Sequence, residues 1–559
     1  MRSAARLPCI AAVGCLALAA CAENQEKDYF GTEEPFAAEA VYFVLTDRFV
    51  DGDRSNNQVE QGGRNRTFDR PIRGANGAPD NIGYLGGDFR GLLDHAEYIR
   101  DMGFTAVWIT PIVDNPDEAF TGGNRIGEGF FADRGKTGFH GYWGVNFYRV
   151  DEHLESSGLS FAEFTRRMRA EHGLRIVLDI VGNHGSPSFT MPVDQPKFGE
   201  IYDADGRLLA DHQNLRPERL DPANPLHRWF HREPDLAELS NFDDTNPAVM
   251  DYLVGAYLQW IDQGASAFRI DTIRHVPHAF WREFTTRIRA RHPGFFMFGE
   301  SFNYEAAKIA EHTRPENGAV SVLDFPGQAA MVEVFGKPGS DFGRLLEALH
   351  LDDGVYRNPY ELMSFYDNHD MARMNAREEG FIDAHNWLFT ARGIPVVYYG
   401  SEMAFMAGTK EHEGNRNYFG PENIARARGH RIRKALAHIA GIRRESPSLQ
   451  RGLQVNLELK GDRAAFLRVY ERGDTHQTAL VLLNKGDGRA RFAIDRRLSR
   501  GAWRDASTGE EFTVTGAPLE ATVPAHGVRV LLHGERNDDA GLVAELERSM
   551  RALPAGSGR

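Results

Sequence analysis

Short apolar runs alternate with helix-period segments along most of this chain. The runs are Val41–Thr46, Thr105–Thr110, Arg175–Ile180, Ser266–Asp271, Phe295–Glu300, Val320–Phe325, Leu362–Asp367 and Ile394–Tyr399. Each is nearly continuously apolar, as strands covered on both faces are. Between most of them the period becomes helical, over Leu92–Met102, Phe161–His172, Val249–Gln263 and Phe280–Arg291. Eight such alternations predict an α/β fold: a parallel sheet closed into a (β/α)8 TIM barrel with its helices outside.

Two stretches are too long to be simple connections. Residues 51–90 are polar and rich in Gly and Asn, and residues 184–245 carry few apolar runs but many Pro, Asp and His. The second reads as a subdomain inserted after the third strand. Past residue 448 the period changes. Ala464–Glu471, Thr478–Leu483, Ala490–Ile494 and Val528–Leu532 read as short strands separated by turns, predicting a C-terminal antiparallel β-sandwich. In Ala540–Leu553 the residues Leu542, Leu546, Met550 and Leu553 share one helical face. The expected organisation is a barrel over 39–183 and 246–447, a subdomain over 184–245, a sandwich over 448–535 and a helical tail over 536–559.

The N-terminus has a different character. Arg2 and Arg6 precede the apolar run Leu7–Ala20, which is shorter than the roughly 20 residues of a spanning helix but suits a signal peptide. It ends Leu18-Ala19-Ala20-Cys21. Small residues before a cysteine resemble the lipobox of bacterial lipoproteins, in which Cys21 would be lipidated. Residues 21–38 then read as a tether, and the chain is expected in the cell envelope, anchored to a membrane rather than crossing it. All three cysteines, Cys9, Cys15 and Cys21, lie in this segment, so the body has no disulfide. Lys and Arg number 65 against 79 Asp and Glu in 559 residues, a net charge of −14. That balance argues against a nucleic-acid partner.

Polar residues at the C-terminal ends of barrel strands face the substrate. The third run leads into Asp179, Asn183 and His184; the fourth into Asp271, Arg274 and His275; the fifth into Glu300; the seventh into Asp367, His369 and Asp370. Any one of these acids by itself reads as well as a rim ion pair or a helix cap. Three of them, Asp271, Glu300 and Asp370, on one rim suggest acid–base and nucleophilic work, as in glycoside hydrolysis. Arg269 lies two residues before Asp271, on the same face of the strand, and is expected to pair with it. Separately, Asp51, Asp53, Asn56 and Asn57 place oxygen donors in a short Gly-containing loop, a donor set that suits Ca²⁺ rather than zinc.

The segments DIVGNH (179–184), FRIDTIRH (268–275), FGES (298–301) and FYDNHD (365–370), in that order, resemble the signatures of the α-amylase family of glycoside hydrolases. YLGGDF (84–89), GFHGYWGVNFY (138–148) and GIPVVYYGSE (393–402) resemble it too. The resemblance spans roughly residues 40–535 and implies retaining cleavage of α-1,4-glucosidic bonds in an α-glucan or maltooligosaccharide. It implies Asp271 as nucleophile, Glu300 as general acid/base and Asp370 as the third acid, with Arg269 as partner of Asp271. Tyr142, Trp143, His184 and His369 match the site for the sugar before the cleaved bond; Arg274 and Phe302 match the leaving-group side; Arg416 matches a substrate-side arginine. Asp179 matches an acid that organises the site.

The resemblance also extends the calcium loop, adding the Gly86 carbonyl and Asp88, as in cyclodextrin glucanotransferases. A second calcium would use Asn183, the His275 carbonyl and Glu238, where the family usually has Asp. Pro234 replaces the aromatic residue around which cyclising transferases wrap glucan, which counts against efficient cyclisation. Asn146 stands where Asp is usual. The reading these features favour is hydrolysis; a glucan transferase at the same site is the alternative. A catalytically silent glucan-binding lipoprotein would predict loss of one of the three acids, and none is lost.

Overall fold

The computed structural model describes residues 27–58, 72–73, 79–80, 82–124 and 133–553. Eight strands form the barrel: β1 (Val41–Val44), β2 (Ala106–Ile109), β3 (Arg175–Ile180), β4 (Ala265–Ile270), β5 (Phe296–Gly299), β6 (Ser321–Val322), β7 (Met363–Ser364) and β8 (Ile394–Tyr398). They are hydrogen-bonded in the order β6-β5-β4-β3-β2-β1-β8-β7. Neighbours run parallel, and a Leu323–Met363 bridge brings the two ends of the sheet together. Their side chains are almost all buried, because the barrel fills one face and helices cover the other. Phe43 stacks on Trp108 with ring centroids 3.8 Å apart inside the barrel.

The expected runs and the strands agree in place, but the sixth and seventh strands are shorter than their apolar runs. In the sixth the cause is a polar terminus: Asp324 turns out of the sheet to cap the helix Phe325–Gly336, accepting from the Gly327 N–H. The helix expected from Leu92 begins at Phe89 instead. Asp88 caps it, and it breaks at His95 into two short pieces, Phe89–Asp94 and Ala96–Arg100.

The insertion after β3 holds small antiparallel pairs, His184–Pro187 with Leu239–Asn241 and Glu200–Tyr202 with Leu208–Asp211. Phe198 and Met191 from it pack with Phe120 and Trp143 from the long loop after β2. The two loops thereby wall the barrel's C-terminal rim on one side.

Beyond the barrel lie β9 (Leu453–Lys460), β10 (Arg463–Arg472), β11 (Thr475–Asn484), β12 (Ala490–Ile494), β13 (Gly501–Asp505), β14 (Glu511–Val514), β15 (Leu519–Val523) and β16 (Gly527–His533). Six form one antiparallel sheet and β12 pairs with β15 opposite it. Four of these, β9, β13, β14 and β15, were not anticipated from the sequence. In β15 buried and exposed residues simply alternate, so it carries no continuous apolar run. The tail helix Ala540–Ala552 buries Leu542 and Leu546 in the sandwich core.

The segment expected as a tether, 21–38, is packed over much of its described part. Tyr29 pairs with Glu471 at the edge of β10, exchanging backbone bonds of 2.8 and 2.7 Å, and its ring enters the sandwich core. Phe36 and Ala37 join the barrel core. A spare sheet edge and buried aromatics hold these residues in place. Cys21 and the apolar run before it lie outside the described residues. Among the described residues no helix is long and apolar enough to cross a membrane.

Candidate active site

The register of β3 against β4 sets Asp179 opposite Arg269. One step further along, the ladder persists: Asp271 N–H bonds the Ile180 carbonyl and Glu300 N–H bonds the Ile270 carbonyl, both at 2.8 Å. Adjacent parallel strands thus deliver the two acids to one level of the rim. Arg269 is completely buried beneath them, and its guanidinium touches three carboxylates. Nη1 is 2.8 Å from Asp179 and 2.7 Å from Asp271; Nη2 is 2.9 Å from Glu300. Asp271 and Glu300 therefore sit at the two ends of one planar cation, only about 2.3 Å across in covalent geometry. Thr272, between them in the chain, takes a left-handed conformation at φ 47°. Such a conformation is strained for a branched residue, and it turns the Thr272 N–H toward Glu300 at 3.4 Å.

Above these groups opens a cavity of about 310 Å³. Asp271, Glu300 and Asp370 all line it. So do Tyr142, Trp143, His184 and His369 on one side, and Arg274, His275 and Phe302 on the other. The site residues expected at the strand ends are thus brought together, while Asp179 and Arg269 lie underneath as support. Tyr142 donates to Asp179 at 2.8 Å and meets His369 Nε2 at 2.8 Å. Trp108 also donates to Asp179, at 3.0 Å. Asp370 is held by Arg416 at 2.7 Å and lies 3.3 Å from His369. Phe302 is exposed, and Arg274 donates to its carbonyl. Asn146 bonds the inserted subdomain through the Asp203 carbonyl, away from the cavity.

Burial governs the protonation states. It pushes Glu300 up to about 8, with Asp370 and Asp271 adding to the rise and Arg269 opposing it. Asp179 rises to about 7 for the same first reason. Burial pulls His369 and His140 well below the usual imidazole value, and His184 below it. The histidines facing the cavity are therefore neutral at neutral pH, able to bond hydroxyl groups without carrying charge.

Some wall residues had no signal in the sequence reading. Glu411 lies 2.9 Å from Arg416 and 3.2 Å from Lys136, and Lys136 lies 2.6 Å from Asp133. This chain of alternating charge links the loop after β2 to the segment after β8 and ends on Asp370. His140, within the GFHGYWG segment, also lines the cavity. Lys136 and Glu411 lie 275 residues apart, so spacing alone could not expose the link between the two loops.

The Asp51–Asn57 loop folds around Asp88. The Asp88 carboxylate accepts from the Gly52 and Asp53 N–H groups at 3.1 and 2.8 Å. Asn57 donates to Asp51 at 3.0 Å. Oδ1 of Asp51, Asn56 and Asn57 are all buried with no hydrogen-bond partner among the described residues. Buried oxygens left so are costly unless something cationic meets them. Gly86 sits one residue before Gly87, whose N–H bonds the Asp47 carbonyl. Around the expected second set the hydrogen bonds run to another acid. The acid beside Asn183 and His275 is Asp235, at 3.4 and 3.2 Å. Burial, and then the nearby Asp133 carboxylate, raise Glu238, whose Oε2 is buried with no hydrogen-bond partner among the described residues.

Residues 43–438 match the family of α-amylase catalytic domains. Among similar curated proteins, the cyclomaltodextrin glucanotransferase of Klebsiella oxytoca is 28% identical over 511 residues, spanning 81% of this chain and 71% of that protein. The enzyme of the same name from Bacillus licheniformis is 27% identical over 471 residues, spanning 81% of this chain. The chain covers only 60% of that relative's length. A solved cyclomaltodextrin glucanotransferase with a three-domain ABC distribution is 28% identical with a TM-score of 0.71, over 89% of this chain and 99% of that one. An Anoxybacillus α-amylase at 24% identity shares the fold, with a TM-score of 0.69 over 90% of this chain and all of that one.

Glu300 is expected to keep its proton at neutral pH and lose it as pH rises through about 8. Infrared difference spectra should show a protonated-carboxyl band at pH 6.5 that is missing in Glu300→Gln. In Asp370→Asn, with a repelling charge removed, that band should vanish at lower pH. Absence of the band from the unmodified protein would show Glu300 ionised.

Proposed function

The chain belongs to the α-amylase family, and from that membership we propose that it is a retaining glycoside hydrolase cleaving α-1,4-glucosidic bonds in starch-like glucans or maltooligosaccharides. The observation that carries the reading is the pair Asp271 and Glu300 on opposite ends of one buried guanidinium, open to a sugar-sized cavity. Retaining glycosidases need two carboxyls about 5–5.5 Å apart, one nucleophilic and one able to give and take a proton.

In the first step an Asp271 oxygen attacks the anomeric carbon while the glycosidic oxygen leaves with the proton of Glu300. The product is a glycosyl ester on Asp271 and an ionised Glu300. In the second step Glu300 takes a proton from water as the water oxygen attacks the same carbon and frees Asp271. Arg269 offsets the charge of the Asp271 and Glu300 carboxylates throughout. Asp370, oriented by Arg416, is placed to accept from substrate hydroxyls; the neutral His369 and His184 can do so as well. The Tyr142 ring offers a stacking face for the sugar before the cleaved bond.

A second reading has support of its own. The relatives named as cyclomaltodextrin glucanotransferases favour transfer of the glycosyl group to another sugar hydroxyl in place of water. Exposed Phe302 and nearby Arg274 form a rim on which an acceptor could rest. Against cyclisation stands Pro234, exposed at the position of the wrapping aromatic, with Leu236 rather than an aromatic at the cavity edge.

We also propose that the Asp51–Asn57 loop holds Ca²⁺ through Asp51, Asp53, Asn56, Asn57, Asp88 and the Gly86 carbonyl. The three unsatisfied buried oxygens support this. When bound, the ion supplies positive charge that fastens the loop; the chemistry of the rim does not pass through it. At the N-terminus we propose lipidation of Cys21 and an envelope location, on the strength of the signal-like run alone.

Asp271→Asn and Glu300→Gln should each lower kcat on maltooligosaccharides by roughly 10³-fold or more, with Kd little changed; near-normal turnover in either would remove the mechanism. Time courses on amylose and maltotriose should yield shorter linear products, whereas longer or cyclic products would select the transfer reading. Excess chelator should lower Tm by several degrees and added calcium restore it; an unmoved melting curve counts against a structural calcium. Cells fed labelled palmitate should yield labelled protein in the membrane fraction, and Cys21→Ser should abolish both label and sedimentation; an unlabelled, soluble parent protein would refute the anchor.

A further inference from the structure

Outside the catalytic cavity, behind the Asp51–Asn57 loop, side chains of Asp117, Glu152 and His153 converge. One ligand atom from each lies within 4.8 Å of the others. We infer that these three residues bind one divalent transition-metal ion of the zinc type, at a site separate from the calcium loop.

The geometry of His153 and Asp117 is the core of the argument. His153 Nε2 lies 3.7 Å from Asp117 Oδ1, too far for a hydrogen bond. Both atoms are buried and have no hydrogen-bond partner among the described residues, and His153 is only 9% exposed. Two donors on one tetrahedral zinc, at bonds of roughly 2.0–2.2 Å, stand about 3.4 Å apart. The observed gap is close to that ligand-to-ligand spacing and matches no direct bond.

The other imidazole nitrogen is already committed. Nδ1 lies 2.7 Å from the Asn56 carbonyl, which can only accept, so Nδ1 carries the proton. A neutral ring then presents the Nε2 lone pair toward Asp117. A backbone carbonyl that fixes the tautomer in this way is the usual support behind a metal-bound histidine. A nitrogen donor with carboxylates separates this set from the all-oxygen donors of the calcium loop.

The local field favours a cation. Asp117, Asp151 and Glu152 all set carboxylates beside the ring. Lys197 offsets part of that field, 3.6 Å from Asp114 and 3.7 Å from Asp117. It faces Asp117 Oδ2 and leaves Oδ1 toward His153. The Asp117 side chain is 35% exposed, which gives an ion a path from solvent. A second cluster, His231 with Asp243 and Asp244, lacks this character: His231 bonds Asp244 directly at 2.6 Å.

An ion here would pin three segments together. Asp151 accepts from Asn115 N–H at 3.2 Å and Asn115 accepts from Trp143 N–H at 2.8 Å. Asn56 belongs to the calcium loop. The site thus braces the wall beneath Trp143 from behind.

The test uses the full chain in excess calcium, freed of transition metals and titrated with Zn²⁺ by calorimetry, with Co²⁺ absorption as a second probe. The expected result is one equivalent bound per chain and a raised Tm. Asp117→Asn keeps size and removes charge, and His153 still holds Asn56, so it is the deciding variant. It should weaken Zn²⁺ at least tenfold with calcium content unchanged; His153→Gln should weaken Zn²⁺ as well, while His231→Gln should not. The inference is overturned if no stoichiometric Zn²⁺ binds, if Asp117→Asn leaves the affinity intact, or if His231→Gln removes it. A protonated imidazole paired with Asp117 predicts the first of these outcomes.

Discussion

One buried cation organises this molecule's chemistry. Arg269 has no exposure to water and three carboxylates within hydrogen-bond distance. A single positive charge cannot neutralise three negative ones in a poorly solvated place, so protons must stay on some of the acids. Burial and the neighbouring carboxylates leave Glu300 and Asp179 with raised values. The division of labour among the acids follows: the group that must donate a proton is the one whose surroundings favour the protonated form. Arg269 in turn depends on the β3–β4 register, since slipping either strand by one residue would turn its side chain to the other face.

The walls above that cation are built from distant parts of the chain. Tyr142 ties the loop after β2 to Asp179 and His369. The alternation Asp133, Lys136, Glu411, Arg416, Asp370 runs across the rim from one loop to another. Each buried charge in it is paired, which is the condition for keeping charges out of water at tolerable cost. Removing one member would leave its neighbours uncompensated, so the position of Asp370 in the cavity rests on the whole row of charges. The loops behind the wall repeat the theme. Asp88 gathers backbone N–H groups of the Asp51–Asn57 loop, His153 holds Asn56, and Asn115 carries Trp143.

Much of the architecture was legible in the chain. Continuous apolar runs can be stable only as strands covered on both faces, and their alternation with helical periods admits few topologies. The acids at the ends of those runs were legible for the same reason, because a strand's last residue has one place to go. Period-2 strands such as β15 escaped notice, since half of their residues face water. Tyr29 and Phe36 escaped too: two aromatics in an acidic, polar stretch resemble a linker until a sheet edge and a core receive them.

The sequence by itself determined the barrel, the inserted subdomain, the C-terminal sheet region and the identity of the three acids on the rim. It did so because hydrophobic periodicity and strand-end chemistry are local properties of the chain. The tertiary structure alone decided that Asp235 stands beside Asn183 and His275, that Glu411 and Lys136 brace Asp370 through Arg416, and that His153 faces Asp117 at 3.7 Å. Those are contacts between residues far apart in the chain or on irregular loops, where no period fixes direction and only the packed fold says which side chains meet.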